Sequence, residues 1–143
     1  MLITADEVRS YISDSINDNH LLDGVEFPDS RIELAAKMAL SDFNAMPPMT
    51  SYDLDTFQYL SILLDGILHN LFKGQMALSA RNTMSYSDGG LQIPIEERFQ
   101  YYEALADLYG KYFVSKARDL KTHLNMESTW GHIASDYSTF PIW

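Results

Sequence analysis

The chain has 143 residues, carries 20 acidic against 10 basic residues and contains no cysteine. Its length fits one domain, and the lack of cysteine excludes disulfides, thiol catalysis and cysteine-ligated zinc. The net charge of −10 disfavours a body that grips DNA, because phosphate binding depends on clustered Lys and Arg. No apolar run approaches the roughly 18 residues of a membrane-spanning helix, so we expect no contact with a membrane.

The first predicted helix covers residues 5–13. Thr4 and Glu7 have the spacing of a capping box, in which each side chain bonds the other residue's backbone N–H. Ile3 and Val8 are placed to pack together as a hydrophobic staple around this start. The Asn- and Asp-rich sequence that follows is typical of a loop.

The second predicted helix covers residues 31–45, and Ser30 with Glu33 repeats the capping-box spacing at its start. A Met-Pro-Pro-Met sequence ends it, because proline cannot continue a helix. Its apolar residues share one face, which is expected to lie in the core: Ile32, Ala35, Ala36, Ala39, Leu40 and Phe43.

A third helix is predicted over residues 54–80, with Asp53 and Asp55 near its positively polarised N-terminal end. Gly66 and Gly74 lie inside it, and each costs about 1 kcal/mol relative to alanine. Since nothing there requires flexibility, close approach of another backbone is the expected reason for both. The apolar stripe consists of Leu54, Phe57, Leu60, Leu64, Ile67, Leu68, Leu71 and Phe72.

Residues 83–93 interrupt the helical pattern with the sequence TMSYSDGGLQI. Asp-Gly and Gly-Gly tolerate the positive φ angles of tight turns, and the flanking apolar residues alternate with polar ones. These features predict a β-hairpin between the two longest helices. Because an isolated two-stranded ribbon is marginally stable in water, it must pack on this chain's helices or on another molecule.

The fourth predicted helix covers residues 94–124 and would be about 46 Å long. A compact domain of this size is only about 37 Å across, so the helix should project or the body should be elongated. A kink at Gly110 that folds the helix back is the alternative. One apolar stripe recurs about every 3.6 residues along the helix: Ile95, Phe99, Tyr102, Ala106, Tyr109, Phe113, Ala117, Leu120 and Leu124. A second stripe broadens the first half, which is therefore expected to contact two neighbours: Tyr101, Leu105, Leu108 and Tyr112.

Residues 127–143 have neither helical nor strand periodicity, yet they are rich in large apolar side chains: Trp130, Ile133, Tyr137, Phe140, Ile142 and Trp143. Disordered tails are normally poor in aromatic residues, so these rings are expected to be buried. Two partners are open, the chain's own body and another protein, for which Trp and Tyr are typical anchors.

No pattern indicates a catalytic residue, a cofactor or a metal site. The four histidines lack ligand spacing, no serine lies in Gly-x-Ser-x-Gly, and Ser-Asp-Gly-Gly lacks the frame of a phosphate-binding loop. The Asp-rich loop lacks the residue order and closing glutamate of a calcium loop. We therefore expect that the protein is not an enzyme, and that His69 is a partly buried structural histidine.

The layout of residues 28–124 resembles the head–tail adaptor proteins of tailed bacteriophages, also called connector, neck or head-completion proteins. The resemblance rests on a helix that runs into SYSDGGLQI and a long helix that begins PIEERFQYYEALADLYGKYF. It implies a mainly α fold: an elongated four-helix bundle over residues 1–126, with a β-hairpin insertion at 83–93 and an extended C-terminal tail over 127–143.

The resemblance also implies a virion structural protein that is made in the host bacterial cytoplasm. It would form a homo-oligomeric ring of twelve subunits that binds the portal protein and other neck or tail proteins. DNA would pass through the lumen without sequence-specific binding, past an acidic wall that repels it. The alternative is a small cellular helical binding module that dimerises through the third and fourth helices.

Three groups of residues receive roles from this resemblance. The face of the fourth helix would pack the bundle and the next subunit through Phe99, Tyr102, Tyr109 and Phe113. The hairpin would make inter-subunit contacts through Tyr86, Asp88, Gly89, Gly90 and Leu91. The tail would anchor on a partner through Trp130, Ile133, Tyr137, Phe140 and Trp143.

Overall fold

A computed structural model describes residues 3–19, 24–81, 87–88, 91–92 and 96–130 of the chain. Most of these residues are helical, which confirms the prediction of a mainly α protein, and a four-helix bundle fits. The helices are α1 (Ala5–Ile12), α2 (Asp29–Ala45), α3 (Leu60–Arg81) and α4 (Glu96–Trp130). The packing of α3 against α2 and, more extensively, against α4 makes α3 the centre of the bundle.

The predicted β-hairpin insertion is wrong as an element of the fold. Among the described residues, β1 (Ser87–Asp88) and β2 (Leu91–Gln92) pair antiparallel over only two residues each. An ordinary strand has about five or six residues, so a ladder of two residue pairs is too short to count as an element of this helical fold. The Asp-Gly-Gly sequence favours a reversal of the chain, but a reversal does not require strands on either side of it.

The start of α1 confirms the predicted capping box. The Thr4 backbone N–H donates to the Glu7 carboxylate at 2.7 Å, and the Glu7 N–H donates to the Thr4 hydroxyl at 3.3 Å. Ile3 and Val8 are both buried, in agreement with the predicted staple. The hydrogen bonds with Thr4 lower the pKa of Glu7.

The predicted capping box of α2 is wrong, because the helix begins at Asp29 and places Ser30 inside its first turn. Pro28 is the N-cap and makes no side-chain capping bond. Arg9 of α1 stabilises the N-terminal end of α2. Its guanidinium donates to the Phe27 carbonyl at 3.0 Å and forms an ion pair with Asp29. All six apolar residues predicted to face the core are buried.

Helix α3 begins six residues later than predicted. The backbone N–H groups of Thr56 and Phe57 donate to the Asp53 carbonyl, which closes a separate turn before the helix. Asp53 therefore does not lie at the helix start. Phe57 is nevertheless buried, with its ring centroid 4.8 Å from that of Phe43 and 5.7 Å from that of Tyr52.

The two glycines of α3 differ. A Cβ added at Gly66 would lie 2.7 Å from the Cβ of Ala39 and 2.9 Å from the ring of Phe113, so α2, α3 and α4 meet here without room for a methyl group. A close approach at Gly66 is therefore found, but the approaching atoms belong to the side chains of Ala39 and Phe113, whereas the prediction named another backbone. A Cβ at Gly74 would meet nothing within 4 Å, so the same prediction is wrong there.

Helix α4 runs without interruption through Gly110 to Trp130, which contradicts the alternative of a chain folded back at that glycine. Its 35 residues are about 52 Å long. Gly110 instead makes room for His69, whose Nδ1 lies 2.8 Å from the Ala106 carbonyl oxygen and 2.7 Å from where a Cβ of residue 110 would be. His69 is thus the partly buried structural histidine that was predicted.

Helix α4 also extends past the start of α3. The two helices are antiparallel, with Asp65 beside Lys116, so the first residue of α3, Leu60, lies about level with residue 121. Residues 122–130 therefore continue roughly 13 Å beyond α3. None of the described helices combines the length and apolarity needed to cross a bilayer.

Candidate functional site

The inner face of α4 packs on the centre of the bundle. The rings of Tyr102 and Tyr109 stack on Phe72 of α3, with centroids 6.3 and 5.8 Å apart. Phe113 is only 4% exposed, and Phe99 is half-buried. The four residues predicted for helix packing thus include three that contact the core of this chain directly.

A second face of α4 is exposed to solvent among the residues that the structure describes. Tyr101, Leu108 and Tyr112 are 69%, 42% and 49% exposed, and their spacing of seven and four residues places them on one side of the helix. We call these three residues the α4 flank. Leu105, the fourth member of the predicted second stripe, is partly buried against the core.

Tyr11 of α1 extends this aromatic surface. It is exposed and interacts with the hydroxyl of Tyr109, while the rings of Tyr109 and Tyr112 lie edge to face with centroids 6.5 Å apart. Burial, followed by the interactions with Tyr11, raises the pKa of Tyr109. Sequence reasoning missed Tyr11, since the pairing of α1 with α4 is a tertiary contact that no local pattern indicates.

An ion pair fixes the edge of the flank. The Lys116 ammonium pairs with the buried Asp65 carboxylate of α3, and the same ammonium lies 6.0 Å from the ring centroid of Tyr112. A cation at this distance from an aromatic face is attracted to it. The ring of Tyr112 is therefore held in place on its inner side and open to solvent on its outer side.

At the far end of the inner face lies a buried lysine. Lys121 is 1% exposed, donates to the Pro48 carbonyl at 2.8 Å and to the Thr50 hydroxyl at 2.6 Å, and lies 4.4 Å from the ring centroid of Phe43. Desolvation lowers its pKa. Sequence reasoning missed its burial, although Lys121 follows Ala117 by four residues and so continues the apolar stripe.

A groove of about 990 Å³ opens between the C-terminal end of α2, the middle of α3 and the middle of α4. We call it the α2–α4 groove. Its apolar lining comes from both outer helices and the loop after α2: Ala45, Met46, Pro47, Gly110, Phe113 and Val114. It lies on a different side of α4 from the flank, because none of the three flank residues lines it.

The remaining predicted site residues are partly outside the described residues. Tyr86, Gly89 and Gly90 of the hairpin lie there, whereas Asp88 and Leu91 form one pair of the short ladder. Trp130 is the last residue of α4, which therefore ends six residues later than the predicted residue 124. Ile133, Tyr137, Phe140 and Trp143 of the tail also lie outside the described residues.

Comparisons of the chain with protein-family models, with curated proteins and with solved structures gave no match. In the ranges that the structure describes, no group of His, Asp and Glu is arranged to hold a metal ion. The exposed α4 flank is therefore the feature on which a functional proposal can be based.

Proposed function

We propose that the protein is a structural subunit of a tailed-bacteriophage virion, where it forms a ring at the head–tail junction. The observation that carries this proposal is the α4 flank. Together with Tyr11, it presents four large and largely apolar side chains, each between 42% and 69% exposed. Apolar patches of about 300–600 Å² are the largest on typical monomers and are often functional.

The two faces of α4 have separate roles in this proposal. The inner face holds the subunit together, and the flank binds the next subunit. Aromatic residues on a rigid support are typical anchors of protein interfaces, because little side-chain freedom is lost when they are buried. The contacts of Tyr112 with Tyr109 and Lys116 supply such support before any partner arrives.

The ring would extend the DNA channel below the portal and receive the tail. The chain's net charge of −10 supports this role, because an acidic channel wall repels passing DNA and reduces sticking. The aromatic residues 130–143 would anchor each subunit on the portal or on another neck protein. These roles follow from the family resemblance together with the composition of the chain.

The rival function, a cellular module that dimerises through α3 and α4, has less support. The large apolar side chains along α3 are buried inside the described chain: Ile62, Leu63, Ile67, Leu68, Leu71 and Phe72. Helix α3 thus offers little surface to a second copy. A ring needs a heterologous contact between different faces, whereas a dimer uses one self-complementary face, so the mass of the complex separates the two functions.

The test is native mass spectrometry of the full chain over a range of concentrations, alone and with the portal protein encoded in the same genome. We expect a ring of many copies, either unaided or on the portal. Leu108→Glu should abolish it, because the change buries a charge at the subunit contact. Met126→Glu, at an exposed position farther along α4, is the matched control and should still assemble.

Two outcomes of this experiment would contradict the proposal, and one observation on the genome would do so as well. A wild-type chain that stays monomeric with the portal present is not a ring subunit. A complex that stops at two copies supports the dimerising module. A genome that lacks portal and capsid genes around this gene would also count against a virion protein.

A further inference from the structure

We propose that residues 131–143 of the free subunit dock into the α2–α4 groove of the same chain. This goes beyond the ring function, since it concerns the subunit before it meets any partner. Three observations carry it: the lining of the groove, the composition of the segment, and the short distance between the end of α4 and the groove.

The groove has the size and lining of a site for an apolar segment. Its volume of about 990 Å³ lies near the upper end of the range for small-molecule sites, which span about 300–1,000 Å³, so it has room for several large side chains. Met46, Val114 and Gly110 are half-buried, so their apolar atoms are partly open to solvent in the groove. At Gly110, the ring of His69 fills the space that a side chain would take, and both residues line the groove.

The charges of the groove almost cancel. Lys111 and Arg118 line it together with three aspartates, Asp42, Asp107 and Asp119. A strongly charged ligand would therefore find no excess of opposite charge. An uncharged apolar ligand is a better match.

Residues 131–143 have the composition of such a ligand. Their sequence, GHIASDYSTFPIW, contains one acid and no Lys or Arg. Its large apolar side chains are spread along its whole length: Ile133, Tyr137, Phe140, Ile142 and Trp143. Burial of these side chains, rather than ion pairing, would drive docking.

The segment can reach the groove easily. The groove residue nearest to the end of α4 is Asp119, eleven residues or roughly 16 Å before Trp130 along the helix. Thirteen residues span at most about 43–47 Å when fully extended. The segment can therefore turn back and still cover the groove.

The short tether favours the same chain over a second copy. A ligand held on a short linker has an effective concentration in the millimolar range, far above ordinary protein concentrations. Docking within one chain is therefore favoured over docking between two copies, provided that the segment can reach the groove. In a ring subunit, this arrangement would withhold the tail anchor until a partner displaces it, a consequence that rests on the proposed function.

The test uses the fluorescence of Trp143 in the full chain. The chain has only two tryptophans, so Trp130→Phe leaves Trp143 as the single reporter. In this background we expect emission at short wavelength and weak quenching by acrylamide, both independent of protein concentration. Val114→Glu should shift the emission to longer wavelength and raise the quenching constant severalfold, because it places a carboxylate in the groove.

Met126→Glu is the matched control, with the same charge on the same helix but outside both the groove and the flank, and should leave Trp143 emission unchanged. Circular dichroism checks that each variant is folded. If Val114→Glu loses its helices, Ala45→Arg replaces it. Ala45 is an exposed groove residue at the end of α2, where a cation is favourable.

Each other outcome overturns the proposal. Solvent-exposed emission in the parent chain means that the segment is not docked. Emission that stays blue-shifted in a folded groove variant means that the segment is buried elsewhere. A blue shift that appears only at high concentration means docking between copies. All three results concern the free subunit and are independent of whether rings form on a portal.

Discussion

Tyr112 and Phe113 are neighbours in the sequence, yet they lie on two different faces of α4. Phe113 is enclosed by Gly66 and Ala39 where three helices meet, whereas half of Tyr112 is open to solvent. The inner face packs on the core of its own chain through Tyr102, Tyr109 and Phe113. The flank is similarly rich in large apolar side chains, but no described residue packs over it. Apolar periodicity alone therefore does not reveal which face of a helix packs within its own chain.

The largest expected effect separates these two neighbours directly. Phe113→Ala should lower the free energy of unfolding by about 3–5 kcal/mol, because it leaves a cavity at the helix junction. Tyr112→Ala should lower it by less than about 1 kcal/mol, since the ring is half exposed. Urea denaturation followed by circular dichroism measures both. Similar losses for the two variants would mean that the flank is part of the subunit's own core.

The second prediction concerns how tightly the inner face is packed. Gly66→Ala should destabilise the fold by about 1–3 kcal/mol, because the added methyl group overlaps Ala39 and Phe113. Gly74→Ala, in open space on the same helix, should stabilise it by up to about 1 kcal/mol. The two midpoints of thermal unfolding should move in opposite directions. A loss at Gly74 as large as that at Gly66 would refute the assigned close contact.

The third prediction concerns the polar end of the inner face. Lys121→Met should cost about 1–3 kcal/mol, because the Pro48 carbonyl and the Thr50 hydroxyl lose their donor. Desolvation holds the folded pKa of Lys121 below its usual 10.5, so the unfolded chain binds this proton more tightly. The contribution of Lys121 to stability should therefore rise with pH as 10.5 is approached from below.

Urea denaturation of wild type and Lys121→Met from pH 7 to 10 measures this dependence. Arg118→Met, an exposed neighbour on α4, is the control and should show no matching trend. A difference between wild type and Lys121→Met that shrinks as the pH rises would contradict the buried lysine.

The smallest expected effect lies at the other end of the inner face. Tyr102 donates to the Glu26 carboxylate, and burial together with this bond raises the pKa of Tyr102 to about 12. Its contribution to stability is complete below pH 10 and is lost between pH 10 and about 12, because the unfolded chain releases the proton first. Tyr102→Phe should cost about 0.5–1.5 kcal/mol at neutral pH and unfold with a weaker alkaline dependence. Equal alkaline dependence of wild type and variant would rule out this assignment.

Local sequence rules predicted the parts of the fold that depend on local contacts. The Thr4–Glu7 box is an interaction over three residues, and the core face of α2 follows from helical spacing alone. The close packing at Gly66 was predictable because a glycine destabilises a helix, so a tight tertiary contact is the expected reason for its presence. The same rule failed at Gly74, where the structure gives no reason for the glycine.

The errors arose where one pattern fits two backbones. Phe57 is buried, as its spacing predicted. However, Phe57 lies in a separate turn that begins at Asp53, whereas the prediction placed it in α3. The Asp-Gly-Gly sequence of residues 88–90 indicates a reversal of the chain, but it does not indicate that long strands flank the reversal. The α4 flank was visible as a second stripe, whereas its exposure depends on which helices happen to lie beside it.

The hydrogen bond between His69 and Ala106 also determines where distant parts of the chain lie. Together with the Asp65–Lys116 ion pair, it holds the register of α3 against α4, and a slip by one helical turn would displace everything beyond it by about 5.4 Å. Trp130 lies 24 residues farther along the same uninterrupted helix, roughly 36 Å away. The contact between the His69 ring and Gly110 therefore helps to determine where α4 ends and where the last segment of the chain begins.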